Sequence, residues 1–70
     1  MSVRTAERLP VRAYRVLRAE GIVWRYQVRV PGRYEGLVTE AVAVETLEVT
    51  HGLSAKEARD VLDAAREAAS

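Results

Sequence analysis

The chain contains a single histidine, His51, placed three residues ahead of Ser54. A serine nucleophile needs a base beside it and a third group to orient that base, and the sequence offers no such third group. Ser54-Ala55-Lys56-Glu57 reads instead as a capping box, with Ser54 as N-cap and Glu57 at the third helical position, which accounts for the serine fully. His51 then reads as a loop residue just before the helix. The carboxylates Glu57, Asp60, Asp63 and Glu67 fall on the solvated side of the same helix, whereas acid–base work needs burial or close partners to move pKa values. One histidine and no cysteine are weak material for a metal site. The four glycines all read as turn residues rather than as a phosphate cradle. The expectation is a non-enzymatic chain with no catalytic residue, no metal and no cofactor.

Arginine is the residue type with more to offer. Residues 1–34 carry eight arginines against Glu7 and Glu20, a net of +6, while residues 35–70 carry Lys56, Arg59 and Arg66 against eight acids, a net of −5. The whole chain nets +1. Such asymmetry fits either a basic binding face with an acidic back or two halves that neutralise each other on folding. Within the basic half, Arg15, Arg25, Gln27, Arg29 and Arg33 are the candidate nucleic-acid-binding residues, with Arg12 and Arg18 as helpers. Arginine forks suit phosphate oxygens, and a glutamine between them is able to read a base edge.

The elements that must position these residues follow from periodicity. Residues 1–10 read as a flexible arm ending at Pro10, and 11–70 as one domain. Val11 to Ala19 is strand-like. Ile22 to Val30 alternates strictly, with Ile22, Trp24, Tyr26, Val28 and Val30 on one face and Arg25, Gln27 and Arg29 on the other. A three-residue connection, Ala19-Glu20-Gly21, sets Arg18 against Ile22, Val16 against Trp24 and Tyr14 against Tyr26. That register gathers Tyr14, Val16, Trp24 and Tyr26 on the core face and places Arg15 opposite Arg25 outside, where like charges repel. A two-residue loop would put Tyr14 and Val16 with the arginines. Glu40, Glu45 or Glu48 on a neighbouring strand would be the internal answer to that repulsion, and a nucleic-acid phosphate the external one.

Pro31-Gly32 marks a turn, with a loop to Gly36. Half of the residues from Leu37 to Thr50 are Val or Thr, which favours strand. Ala43, Val44 and Leu47 also fit helical spacing, which would set a helix-turn-helix behind the hairpin. After the cap, Ala55, Ala58, Val61, Leu62, Ala65 and Ala69 form one apolar stripe. The predicted fold is α+β: an antiparallel sheet of three or four strands with one C-terminal helix packed on one face.

At 70 residues with no disulfide, the core is small, and a homodimer or another partner is expected to help it. The first residues lack the apolar segment of a signal peptide, and no uncharged run exceeds seven residues. A cytoplasmic location with no membrane partner is therefore expected. Ten arginines against one lysine, with eleven alanines and eleven valines, is the usage of a GC-rich genome such as that of an actinobacterium or its phage.

Short segments resemble known modules. Ser54 to Arg59 (SAKEAR) resembles the start of the final helix of double-stranded-RNA-binding domains, which implies phosphate contacts by Lys56 and Arg59; Ala55 stands where a lysine is usual, and that family's first helix is missing. Gly21 to Gly32 (GIVWRYQVRVPG) is similar to the sheet of the arm-type DNA-binding domain of phage integrases, which implies base reading by Arg25, Gln27 and Arg29. The element order, with its tryptophan-bearing second strand and following Pro-Gly, is also similar to HicB-type antitoxins, which implies binding to a toxin protein. The expected function is nucleic-acid binding, DNA or RNA, through the arginine-rich hairpin. The alternative is a dimeric protein-interaction module, antitoxin-like or a phage-encoded inhibitor, that meets an acidic protein partner.

Overall fold

Among the described residues two strands and two helices follow one another: β1 (Val11–Arg18), β2 (Gly21–Val28), α1 (Glu40–His51) and α2 (Ala55–Ala69). The computed structural model describes residues 9–32 and 36–70. Residues 1–8 of the expected arm lie outside them; of its last two residues, Leu9 packs against the core and the Pro10 carbonyl accepts from the Arg29 N–H at 2.7 Å. The α+β class and antiparallel pairing agree with the sequence reading. Among the described residues the sheet has two strands where three or four are predicted, and two helices pack on one of its faces instead of one.

The hairpin takes the shorter loop. Arg18 pairs with Gly21, Leu17 with Ile22, Arg15 with Trp24, Tyr14 with Arg25 and Ala13 with Tyr26. This is one residue away from the expected register. Neither Ala19 nor Glu20 has positive φ; Gly21 takes it instead, at 116°. The slip exchanges the faces of β1. Its inward row is Val11, Ala13, Arg15 and Leu17, facing Val28, Tyr26, Trp24 and Ile22. Tyr14 and Val16 turn outward. The inward row of β2 is the one that alternation predicts.

The segment expected to be strand is helical. Only Val38 keeps a strand-like role, exchanging two backbone hydrogen bonds of 2.8 Å with Tyr26 across the free side of β2. Helix α1 then starts at the N-cap Thr39, whose hydroxyl accepts from the Val42 N–H. The threonines that argued for strand are accommodated by back-bonding: Thr46 Oγ1 donates to the Val42 carbonyl at 2.8 Å and Thr50 Oγ1 to the Thr46 carbonyl at 2.7 Å. The helix buries Ala43 and Leu47, an i,i+4 pair, and ends at Gly52 with φ 66°. His51 therefore closes a helix and lies exposed, its Nδ1 2.7 Å from Thr50 Oγ1.

Helix α2 begins as the sequence implies. Glu57 N–H donates to Ser54 Oγ at 3.1 Å, and Ser54 N–H donates to Glu57 Oε1 at 2.9 Å. Those bonds hold the Glu57 carboxyl below its ordinary pKa, the Ser54 backbone N–H contributing most. From the predicted stripe, Ala58, Leu62 and Ala65 are buried, Ala55 and Val61 half-buried, and Ala69 exposed. Helix α2 lies mainly over β1 and α1 over β2. The core between the layers is Val11, Ala13, Tyr26, Val28, Ala43, Leu47, Ala58, Leu62 and Ala65. Trp24 is only half-buried at its margin, and Tyr14 stands outside it altogether.

Candidate nucleic-acid interface

Because both helices occupy the inner face, the outer face of the hairpin carries no packed layer among the described residues. Its cross-strand pairs are Arg12 with Gln27, Tyr14 with Arg25, Val16 with Val23 and Arg18 with Gly21. Each arginine thus faces an uncharged partner. The predicted opposition of Arg15 and Arg25 does not occur, because the register shift separates them onto different faces. Successive outward residues on one strand stand about 6.6 Å apart, so Arg12 to Arg18 spans about 20 Å.

Arg25 and Gln27 share this outer face. Tyr14, which the expected register places in the core, joins them, its hydroxyl 3.4 Å from Gln27 Oε1. Arg25 is half-buried and donates from Nη1 to the Trp24 carbonyl at 2.8 Å. That bond engages one prong of the fork and leaves further guanidinium donors. Arg15 lies on the inner face beyond the helices, its guanidinium carbon 5.9 Å from the centroid of the Trp24 ring, a cation–π distance. Arg29 follows the end of β2 and is held there through its backbone bond to Pro10. Arg33 lies outside the described residues.

The acids sit elsewhere. Residues 11–29 hold five arginines against Glu20, a net of +4, while residues 40–69 hold seven acids against Lys56, Arg59 and Arg66, a net of −4. Among the described residues no carboxylate forms an ion pair with Arg12, Arg15, Arg18 or Arg25. Glu40, one of the expected internal partners, meets Arg66 at 3.3 Å instead. Lys56 pairs with Asp60 at 2.9 Å, which raises the Lys56 pKa and occupies one of the two cations carried over from the RNA-binding-domain resemblance.

A further polar cluster escaped sequence reasoning. Arg66 Nη1 donates to Tyr26 Oη at 2.8 Å, while the same guanidinium meets Glu40 and Asp63. The Tyr26 bond is the main cause of the raised Arg66 pKa. This ties α2 to β2 and to the start of α1, and it serves packing rather than an exposed site. No group of three or more metal-ligating side chains occurs among the described residues. No helix among them is long and apolar enough to cross a membrane. Comparison with protein-family models, curated proteins and solved structures yields no match for the chain.

Proposed function

We propose that the chain binds nucleic acid through the outer face of the hairpin, with Arg12, Arg18 and Arg25 as phosphate contacts and Tyr14 and Gln27 between them. The observation that carries this reading is the separation of charge by layer: arginines without a carboxylate partner among the described residues, along a ribbon face that no described element covers, and acids on the helices behind it. A two-stranded ribbon fits the roughly 12 Å width of a B-DNA major groove. The acidic helical layer would then face away from the phosphates, which orients the approach.

Fluorescence anisotropy with short duplex DNA, duplex RNA and single strands tests it. Three phosphate contacts imply a salt slope of about −2.7, or about forty-fold weaker binding between 50 and 200 mM salt. Arg25→Glu should abolish binding while the far-ultraviolet circular dichroism stays unchanged. Arg15→Gln, on the other face, should leave affinity nearly intact. Binding retained by Arg25→Glu, or lost equally in Arg15→Gln, overturns the assigned face.

A further inference from the structure

The hairpin runs past the helical layer that covers its base. At its tip the cross-strand pair Leu17 and Ile22 is 75% and 64% exposed on the inner face, although both belong to the row that is buried lower down. Arg15 precedes Leu17 on the same inner face of β1. A second apolar surface lies on the outside of α1. Val42 and Val49 are 45% and 78% exposed, and with Glu45 they fall at i, i+3 and i+7 on one stripe. Glu48 borders it. Glu45 and Glu48 have no ion-pair partner among the described residues.

Both surfaces expose aliphatic side chains and carry opposite charge: Arg15 beside the tip, Glu45 within the α1 stripe and Glu48 at its edge. Exposed aliphatics bordered by charge mark contact surfaces, and complementary rims favour the pairing of one patch with the other. They occupy different elements of the fold, the far end of the hairpin and the outside of α1. We infer that a second copy of this chain docks here: the hairpin tip of one protomer, Leu17 and Ile22 beside Arg15, seats on the α1 stripe Val42, Glu45 and Val49 of the next, bordered by Glu48. The contact is head-to-tail, so a pair keeps one free tip and one free stripe between its two protomers, and association continues beyond two copies unless the rotation closes a ring. It leaves the outer arginine face exposed and does not depend on nucleic-acid binding.

Sedimentation velocity on nucleic-acid-free protein reads this directly. The mean mass should rise with concentration toward about 1 mM at low salt and fall back at about 0.5 M salt, where exposed charges are screened. Leu17→Ser and Val49→Ser change exposed positions, so both variants should fold, checked by circular dichroism. Each alone should stay monomeric far above the concentration at which the parent chain associates. Mixed in equal amounts, they should form a dimer and nothing larger, because the intact tip of one variant fits the intact stripe of the other. A parent chain that stays monomeric overturns the inference. So does a mixture that stays monomeric, or a single variant that still associates.

Discussion

Replacing Arg66 with methionine should destabilise the chain more than replacing its partner Tyr26 with phenylalanine. Tyr26 is 1% exposed, and its hydroxyl accepts from Arg66 Nη1 at 2.8 Å. The Arg66 side chain is 30% exposed and also meets Glu40 and Asp63. Methionine keeps an apolar stem over the site but removes the donor, leaving a buried hydroxyl that costs about 1–3 kcal/mol. The lost surface pairs add little, about 0–1 kcal/mol each. Tyr26→Phe removes the hydroxyl itself, and the guanidinium turns to water and to its two carboxylates, so the cost should be about 0.5–1.5 kcal/mol. In a domain of this size each kcal/mol moves Tm by about 4–8 °C, so thermal melts resolve the difference. In the Tyr26→Phe background, Arg66→Met should cost much less than it does alone. Equal costs in the two backgrounds would refute the reasoning, since they would mean that Arg66 acts through its stem and not through the hydroxyl.

The remaining expectations concern the caps. Gly52 closes α1 with φ 66° and has open space around its Cα, so Gly52→Ala should cost about 1–2 kcal/mol through backbone conformation alone; a melt at unchanged Tm would contradict this. Glu57 is held below its ordinary pKa of 4.5 by the bonds of the capping box. Its folded-state pKa is depressed, so its contribution is fully present above that ordinary value and fades as pH falls through the lower folded value. Melts of the parent chain and Glu57→Gln should therefore differ at neutral pH and converge in acid. Curves that stay parallel across the acid range would remove Glu57 from the account.

The firm parts of the sequence reading were those with strong local chemistry. The Ser54–Glu57 box and the Leu62 stripe specify α2 almost unaided, and the strict alternation from Ile22 to Val28 specifies β2 with its inward row. The register of β1 was not decidable locally. Its two rows are similarly apolar, Val11, Ala13 and Leu17 against Tyr14 and Val16, and only the helical layer above the base of the hairpin selects the first. Helix α1 was obscured by β-branched residues, whose intrinsic bias is overridden by Thr39 capping, by hydroxyls bonded back to the preceding turn, and by burial of Leu47. The candidate face inherits both outcomes. Arg25 and Gln27 were legible because β2 was; Arg15 was misplaced and Tyr14 missed because β1 was slipped by one residue.

The edge of β1 has a consequence of its own. A sheet this narrow offers a row of backbone donors and acceptors along β1, which pairs with no strand but β2 among the described residues. Such a row invites other chains to extend the ladder into aggregates. Arg12, Arg15 and Arg18 are spaced along that strand, so any second β1 laid against it would bring like charges together. The arginines thereby oppose that extension whatever else they bind, and neutralising several of them at once should shorten the time the protein survives in concentrated solution.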